Sequence, residues 1–380
     1  MPDLILDGRA YTWTWVRAQG ARAAETADSN YARHTLSFCA GWLNDQAAFR
    51  LPTSGSTGAP KPVSLTRRQM SASARATGQA LGLRAGERAL VCLNPAYIAG
   101  AMMLVRGLEL GLQLTVIPPT GRPLAEFSAE TAFDFTAFVP LQLQNSLAFP
   151  HDTALLNRLR AVLIGGAPLS PALARQARAV SAPLYHTYGM TETVSHIALR
   201  RLNGEDSAET FTPLPGVECR LDARGCLLVR GPMTDDAWVT TNDRVELTPD
   251  GRLRWLGRLD RVINSGGVKV QAEKVERALQ TLLPDRRLLV VGRPDPRLGE
   301  CVAAVIEGAP LDLAALRAQL SPALTPYEMP RHLWAWPHLP ETPTGKIDRL
   351  AVLAALGLPP PQPAAPAAPL EEPNPPLNPA

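Results

Sequence analysis

Cysteine is scarce in this chain, and its cysteines form no close pair. The 380 residues contain five cysteines without a CxxC pair and six histidines without HExxH spacing. Isolated cysteines in an odd number indicate neither a disulfide framework nor a cysteine zinc site. The histidine pattern likewise gives no metalloprotease-type zinc site. We therefore expect a reduced, cytoplasmic protein.

Long apolar runs and an excess of one charge are missing as well. No apolar run approaches the roughly 20 residues that span a bilayer. The start of the chain, with Asp3 and Asp7, lacks the basic and apolar regions of a signal peptide. The 38 Lys and Arg residues are scattered among 35 Asp and Glu residues, which gives a net charge of +3. Because there is neither a basic cluster nor a recognition-helix pattern, no nucleic-acid partner is expected.

What the chain does contain is an alternation of strand-like and helical runs. The strand-like runs cover 89–93, 113–117, 136–140 and 161–164, and the helical runs cover 69–83, 99–110 and 155–160. This alternation predicts an α/β fold, in which helices cover a mainly parallel sheet. In such sheets ligands gather at the carboxyl ends of the strands. Residues 11–16 also alternate like a short strand.

The second half of the chain predicts a separate, smaller domain. Short strands with turns follow Cys219, and a smaller α/β unit begins after Gly257. The length of the chain also favours two domains. Ten of the 22 residues from Pro359 onward are proline, which predicts a disordered tail. The predicted units are a large N-terminal α/β domain at 1–256, a small C-terminal α+β domain at 257–350 and the tail at 351–380.

The densest run of candidate chemistry is the loop at residues 51–62. Glycines there let the backbone approach a ligand closely and turn its N–H groups inward as an anion site. The candidate phosphate ligands are Thr53, Ser54, Gly55, Ser56, Thr57, Gly58 and Lys61. Their spacing fits neither G-x-x-x-x-G-K-[ST] nor G-x-G-x-x-G. The run predicts a loop that holds a polyphosphate, although such clusters are also typical of ordinary surface loops.

Further blocks follow downstream. They are HTYGMTET at 186–193, ND at 242–243 with GRLDRVINSGG at 257–267, and PTGKIDR at 343–349. Together with the loop, these blocks resemble the adenylate-forming enzymes, the superfamily of acyl-CoA synthetases, peptide-synthetase adenylation domains and luciferases. The resemblance extends from Leu51 to Arg349. It implies the adenylate-forming fold, with ATP, Mg²⁺ and CoA as cofactors and a small carboxylic acid as the substrate.

The resemblance implies a nucleotide contact for residues of several blocks. These are Lys61 and its loop at the β- and γ-phosphates, Tyr188 with Gly165, Gly166 and Ala167 at the adenine, and Asp243 with Arg258 at the ribose. Thr191 would lie near the α-phosphate, and Glu192 would bind Mg²⁺, which prefers carboxylate oxygens. Taken alone, Glu192 would more simply be a surface charge.

A second group of implied roles concerns catalysis and movement. Lys346 is the main predicted catalytic residue, with Thr191 and Glu192 beside it. A positioned ammonium stabilises the negative charge that spreads over the phosphoryl oxygens when a carboxylate attacks the α-phosphorus. The resemblance places Lys346 on a loop of the small domain that swings into the active site. Asp260 would be the hinge, and Gly266 and Gly267 would line the channel for the CoA thiol.

The segment after the tyrosine block resembles the 2-succinylbenzoate–CoA ligases of menaquinone biosynthesis, particularly short bacterial versions. Their substrate carries a second carboxylate, so donor or cationic groups should face it. The candidate substrate contacts are Tyr97, Ser195, His196 and Arg200. For His196, a satisfied structural histidine is an equal alternative.

The region before the phosphate loop is short, because the loop already begins near residue 53. Short succinylbenzoate ligases share this short N-terminal region. The resemblance implies that much of the first subdomain is missing. A second copy of the chain could compensate for the lost core, so a homo-oligomer is a further expectation.

The interpretation that we favour is an ATP-dependent, AMP-forming acid–CoA ligase acting on 2-succinylbenzoate. One alternative is a stand-alone adenylation protein that loads an aryl or amino acid onto a carrier protein, and the thiol acceptor separates the two. Another is a non-enzymatic nucleotide-binding relative. Such a protein would not need to keep all of Lys61, Glu192, Asp243 and Lys346, which favours an enzyme.

Overall fold

The computed structural model describes residues 2–52, 62–342 and 347–360. The strands, in chain order, are β1 (Leu4–Leu6), β2 (Arg9–Tyr11), β3 (Ala48–Pro52), β4 (Pro62–Thr66), β5 (Arg88–Val91), β6 (Gln113–Val116), β7 (Phe135–Phe138), β8 (Ala161–Ile164), β9 (Leu184–Gly189), β10 (His196–Arg201), β11 (Thr212–Pro213), β12 (Glu218–Leu221), β13 (Cys226–Arg230), β14 (Val239–Leu247), β15 (Leu253–Arg258), β16 (Val262–Ser265), β17 (Val268–Gln271), β18 (Leu288–Asp295), β19 (Gly299–Glu307) and β20 (His332–Trp336). The helices are α1 (Trp13–Gln19), α2 (Asn30–Leu43), α3 (Arg67–Leu81), α4 (Ile98–Leu110), α5 (Pro140–Leu147), α6 (Pro150–Leu156), α7 (Pro171–Ala177), α8 (Ala272–Leu282), α9 (Leu313–Leu320) and α10 (Arg349–Ala355).

Parts of the predicted site lie outside these described residues. They are the candidate phosphate ligands Thr53, Ser54, Gly55, Ser56, Thr57, Gly58 and Lys61, and the predicted catalytic Lys346. Residues 361–380 of the predicted tail also lie outside them, whereas residues 351–355, also predicted as tail, belong to α10, in which Val352 and Leu353 are buried.

A nine-stranded sheet carries the first half of the chain. Its order is β11-β10-β9-β8-β7-β5-β6-β1-β2. The six strands from β9 to β1 run parallel, and the pairings at the two edges, β1 with β2, β9 with β10 and β10 with β11, are antiparallel. All four residues of both β7 and β8 are buried, as expected of parallel strands covered on both faces. The predicted α/β class is therefore confirmed.

Helices α3 and α4 pack tightly against each other on this sheet. Helix α3 begins at a capping box between Thr66 and Gln69. Its Gly78 faces α4 so closely that an added Cβ would lie 2.8 Å from the Leu110 side chain. Helix α4 is mostly apolar and buries residues 100–107, Arg106 among them. Among the described residues, neither α4 nor another helix has the length and apolar character required to cross a membrane.

Two smaller sheets follow. Strands β12 to β15 form a four-stranded antiparallel sheet, and a 3₁₀ turn at Leu259–Arg261 leads into a five-stranded sheet. In the latter, β17-β16-β19-β18 lie in order and β20 pairs with β19. The two-residue turn between β16 and β17 is Gly266-Gly267, with φ values of 62° and 82°. Tight hairpins of this kind require positive φ at both positions, which glycine adopts without strain.

Two local predictions were wrong. Residues 11–16 do not form one strand, because β2 ends at Tyr11 and α1 begins at Trp13. The Thr12 side chain accepts a hydrogen bond from the backbone N–H of Trp15 at 3.2 Å, and this cap starts the helix. The helix predicted at 155–160 lies earlier, at Pro150–Leu156, where proline suits the first helical turn.

Candidate active site

Asp243 lies at the centre of a buried polar cluster on β14. Its Oδ2 accepts a hydrogen bond from the Tyr188 hydroxyl at 2.9 Å, and its Oδ1 accepts one from Trp255 Nε1 at 3.1 Å. Tyr188 comes from the end of β9 and Trp255 from β15, the strand that pairs with β14. Burial, followed by the charge and hydrogen bond of Asp243, raises the pKa of Tyr188. The structure thus brings the predicted adenine and ribose residues together.

Arg258 joins this cluster to the predicted hinge. Its guanidinium makes a two-pronged ion pair with Asp260, at 2.9 Å and 2.7 Å, and its Nη1 lies 4.0 Å from Asp243 Oδ1. The hydrogen bond from Arg258 to Asp260, opposed by burial and assisted by the charges of Asp260 and Asp243, raises the pKa of Arg258. Arg258 therefore stands between the predicted ribose carboxylate and the predicted hinge residue.

The predicted adenine turn, 165–167, follows β8 at the carboxyl edge of the sheet. The N–H of Gly165 donates to the Phe138 carbonyl at 3.0 Å, and Gly166 has φ 83°. A Cβ on Gly165 would lie 2.2 Å from Thr187 Oγ1, so the turn can approach β9 only because this residue is glycine. His186 on β9 makes a hydrogen bond with the backbone of Ala167. The turn and Tyr188 consequently lie on neighbouring strands.

Thr191 and Glu192 stand on a 3₁₀ turn directly after β9, and Glu192 is exposed. Among the described residues, no three or more His, Cys, Asp and Glu side chains stand close enough to hold a metal ion together. A single exposed carboxylate is compatible with Mg²⁺, which commonly binds one or two carboxylates and takes its other ligands from phosphates and water. Glu192 therefore fits the predicted role.

The chain leaves this turn through a strained residue. Val194 is fully buried with φ 66° and ψ −57°, and the N–H of Ser195 donates to the Thr193 carbonyl at 2.7 Å across it. This is a γ-turn of the rare positive-φ type. Such backbone strain costs about 1–3 kcal/mol and persists where the surroundings enforce it. The turn fixes the direction in which Ser195 and His196 enter β10.

Ser195 and His196 meet a buried arginine that the sequence did not predict as a site residue. Arg106 on α4 is 2% exposed, and its Nη2 lies 3.0 Å from Ser195 Oγ and 3.4 Å from His196 Nδ1. Its Nε has no hydrogen-bond partner, and among the described residues no carboxylate pairs with it. Burial lowers the pKa of Arg106 to about 10, so the side chain remains charged at neutral pH. An unpaired buried cation is costly, which favours an anionic partner.

The remaining predicted substrate contacts are divided. Tyr97 is the N-cap residue of α4, the helix that carries Arg106. Arg200 contacts different residues: its Nη2 lies 3.3 Å from His186 Nδ1, and its guanidinium lies 5.2 Å from the centre of the Phe211 ring. Phe211 also packs against Tyr188, with ring centres 5.7 Å apart. The described contacts therefore place Arg200 near Phe211, which packs against Tyr188, and they place Ser195 and His196 beside Arg106.

Comparison with known proteins agrees with this architecture. Residues 12–234 match the family model of AMP-binding enzymes. The probable 2-succinylbenzoate–CoA ligase of Mycobacterium tuberculosis is 33% identical over 337 residues, which cover 82% of this chain and 85% of that protein. The chain therefore belongs to the AMP-binding enzyme family, and the predicted family is confirmed.

Two solved structures extend the comparison. An acyl-CoA synthetase (AMP-forming)/AMP-acid ligase II-like protein from Dyadobacter fermentans is 42% identical, has a TM-score of 0.60 and matches over 89% of this chain and 98% of that chain. The o-succinylbenzoate CoA synthetase of Bacillus subtilis, solved with its acyl-adenylate intermediate, has a TM-score of 0.76 over 92% of this chain and 94% of that chain. At 19% identity the second likeness shows the fold alone, and it confirms the predicted adenylate-forming fold.

Proposed function

We propose that the protein is an AMP-forming acid–CoA ligase whose substrate is a dicarboxylic acid, namely 2-succinylbenzoate. The observation that carries the substrate assignment is the buried charge of Arg106, which has no carboxylate partner among the described residues. An arginine guanidinium matches the geometry of a carboxylate and is well suited to bind one in a buried site. The second carboxylate of the acid would neutralise this charge.

The reaction would proceed in two half-reactions. In the first, a carboxylate oxygen of the acid attacks the α-phosphorus of ATP, and pyrophosphate leaves. In the second, the CoA thiolate attacks the acyl carbon, and AMP leaves. Bound Mg²⁺ would neutralise phosphate charge during the first step.

On the nucleotide side, the proposed roles follow the geometry of the site. Asp243, held by Tyr188 and Trp255, would accept hydrogen bonds from the ribose, with Arg258 nearby. The turn at 165–167 would contact the adenine. Thr191 and Glu192 would face the α-phosphate and Mg²⁺. Lys61 and its loop would hold the outer phosphates, and Lys346 would stabilise the charge of the transition state.

We further propose that residues 1–256 and 257–350 are separate domains. The four-stranded sheet ends at Arg258 and the five-stranded sheet begins at Val262, so the 3₁₀ turn with Asp260 lies between them. Rotation about this turn would exchange the Lys346 loop for the face around Gly266 and Gly267, where Tyr327 and Leu298 border the hairpin. Domain motions of this kind take microseconds to milliseconds.

The acid side of the proposal is supported by the position of Arg106 and by the named relatives. Arg106 contacts Ser195, which is separated from the tyrosine block at 186–193 only by the strained residue Val194. Relatives that match most of the chain include further 2-succinylbenzoate–CoA ligases, such as that of Enterococcus faecalis at 28% identity over 78% of this chain. With this substrate, the protein would act in menaquinone biosynthesis.

The test is pyrophosphate release with ATP and Mg²⁺, measured for three acids with and without CoA. The acids are 2-succinylbenzoate and the two analogues that each lack one carboxylate, 3-benzoylpropionate and 2-propionylbenzoate. One analogue lacks the carboxylate that attacks ATP and should release no pyrophosphate. Over the other analogue, the reactive one, we expect the dicarboxylate to be preferred and Arg106→Gln to abolish that preference. Because hydrogen bonds to charged groups contribute about 1.5–3 kcal/mol, the preference should be roughly tenfold to a hundredfold.

A second variant tests the proposed catalytic role. Lys346→Ala should lose pyrophosphate release yet still form the CoA thioester from supplied acyl-adenylate. Release with an unrelated acid would keep the ligase and reject the substrate. Transfer to a carrier protein but not to CoA would support the carrier-loading alternative. Absence of pyrophosphate release with every acid would contradict the proposal that the protein is an enzyme.

A further inference from the structure

The buried network around Arg106 continues to a third element. Thr77 on α3 is fully buried, and its hydroxyl donates to the Ser73 carbonyl one turn earlier at 2.9 Å. A hydroxyl carries a single hydrogen, so the Thr77 oxygen can only accept from a further partner. That partner is His196 Nε2, at 3.1 Å. With the Thr77 hydrogen directed to the Ser73 carbonyl, His196 carries its hydrogen on Nε2.

This tautomer leaves the other ring nitrogen of His196 without a hydrogen. His196 Nδ1 lies 3.4 Å from Arg106 Nη2, which also lies 3.0 Å from Ser195 Oγ. The two hydrogens of Nη2 can thus be directed to Ser195 Oγ and to the bare Nδ1. In the opposite tautomer the Nδ1–H would have Ser195 Oγ at 3.4 Å as an acceptor, but it would also face the guanidinium at the same distance, and two donors would then face each other.

Burial makes this arrangement sensitive to single atoms. Thr77 is 0%, Arg106 2% and His196 6% exposed, so bulk water cannot replace a lost hydrogen-bond partner. A buried polar group that loses its partner keeps the full cost of its desolvation. Networks of this type fix one arrangement of their members when every bond is made.

We propose that Thr77 and His196 are positioning residues for Arg106, in which the Thr77 oxygen fixes the Nε2–H tautomer of His196 and the bare Nδ1 holds the guanidinium beside Ser195. The proposal rests on the proposed function, because it assigns the selectivity for a dicarboxylic acid to residues that do not touch the acid. His196 therefore acts as a neutral acceptor for Arg106 and not as a direct ligand of the substrate.

Two pairs of variants test the chain of bonds. Thr77→Ser keeps the hydroxyl and should keep the preference for 2-succinylbenzoate over the reactive monocarboxylate analogue. Thr77→Val has nearly the same shape without the acceptor and should reduce that preference roughly tenfold, through KM for the dicarboxylate and not through kcat. His196→Asn places an amide oxygen near the position of Nδ1 and should retain more of the preference than His196→Gln, which places its amide near Nε2.

The matched control is Thr35→Val. Thr35 is also fully buried on a helix, and its hydroxyl donates to the carbonyl four residues earlier, Tyr31 O, at 2.9 Å. The substitution removes a buried helical hydroxyl, as Thr77→Val does, but at a residue of α2 whose hydroxyl has no hydrogen bond to Arg106 or His196. It should lower the thermal midpoint to a similar extent while leaving the ratio of kcat/KM for the dicarboxylate and the reactive analogue unchanged.

The ¹⁵N spectrum of His196 gives a readout that does not depend on the substrate. We expect the Nε2–H tautomer in the unaltered protein and a shift towards Nδ1–H in Thr77→Val. An Nδ1–H tautomer in the unaltered protein would overturn the positioning proposal. So would a Thr77→Val variant whose selectivity matches that of Thr35→Val. If the unaltered protein shows no preference for the dicarboxylate, the proposed function fails, and the tautomer spectrum still decides the arrangement of His196.

Discussion

The Tyr188 hydroxyl donates a 2.9 Å hydrogen bond to Oδ2 of Asp243, a residue 55 positions further along the chain. The bond ties the end of β9, in the nine-stranded sheet, to β14, in the four-stranded sheet. Since Trp255 occupies the other carboxylate oxygen, Asp243 is oriented from both sides. A carboxylate fixed in this way is prepared to accept hydrogen bonds without first losing rotational freedom.

Removal of the Tyr188 hydroxyl should therefore weaken nucleotide binding. Tyr188→Phe keeps the ring against Phe211 but leaves Asp243 with Trp255 as its one side-chain hydrogen-bond donor among the described residues. We expect KM for ATP to rise several-fold and stability to fall by about 1 kcal/mol, the usual net contribution of a hydrogen bond. Steady-state kinetics and urea unfolding measure the two effects.

The control for Tyr188→Phe is Tyr185→Phe on the same strand. The Tyr185 hydroxyl accepts from Arg201 Nη1 at 3.1 Å and makes no contact with Asp243. This variant should show a comparable loss of stability with an unchanged KM for ATP. If both variants change KM for ATP equally, the bond between Tyr188 and Asp243 has no special part in nucleotide binding.

The parts of the fold that follow from local pattern could be predicted from the sequence. The glycine turn at 165–167 follows a short apolar strand, and both features are visible in a few consecutive residues. Residues 11–16 misled the prediction because alternation of residue type is weaker than a local cap. Thr12 provides that cap, and it converts the segment from Trp13 onward into a helix.

The site residues that were missed depend on contacts between distant segments. Arg106 contacts Ser195 across 89 positions, and Thr77 contacts His196 across 119. The one available signal for Arg106 was its place as a lone charge after the apolar run 101–105, where burial of the helix would bury the arginine as well. Nothing local identifies Thr77, since a helical threonine commonly donates to its own preceding turn.

The ion pair between Arg258 and Asp260 should contribute to stability in a salt-dependent way. Asp260→Asn removes a carboxylate that faces three cations, Arg258, Arg261 and Arg349. The guanidinium groups then repel one another with less compensation. We expect a loss of about 1–2 kcal/mol at low ionic strength that becomes smaller in 0.5 M salt, because salt screens partly exposed charges. Urea unfolding at the two ionic strengths measures this difference.

Asp250→Asn is the control for this pair. Asp250 pairs with Arg252 at 2.6 Å, but the two side chains are 55% and 43% exposed. Exposed ion pairs contribute little, so the substitution should change stability much less than Asp260→Asn does at low ionic strength, with little dependence on salt. An equal effect of Asp250→Asn and Asp260→Asn would show that the surroundings of the proposed hinge add nothing to an ordinary surface pair.

His186 should make the folded protein sensitive to mild acid. Burial, with the nearby charge of Arg200 as a second cause, lowers the pKa of His186 from 6.5 to about 4. Between these values the unfolded chain binds a proton that the folded chain does not, so stability is complete above pH 6.5 and falls as the pH approaches 4. At pH 5 the loss from this one group should be about 2 kcal/mol.

The measurement is the free energy of unfolding in urea at pH 7 and pH 5. His186→Gln should lower stability at pH 7, because it disturbs the contacts with Arg200 and Ala167, but its further loss at pH 5 should be about 2 kcal/mol smaller than that of the unaltered protein. His196 is also buried with a lowered pKa and should account for part of the slope that remains. The exposed His34 on α2 provides the control. His34→Gln should show the same loss of unfolding free energy between pH 7 and pH 5 as the unaltered protein. If His186→Gln and the unaltered protein show parallel pH dependences of stability, the folded chain binds a proton at His186 as readily as the unfolded chain does. That result would contradict the lowered pKa of His186.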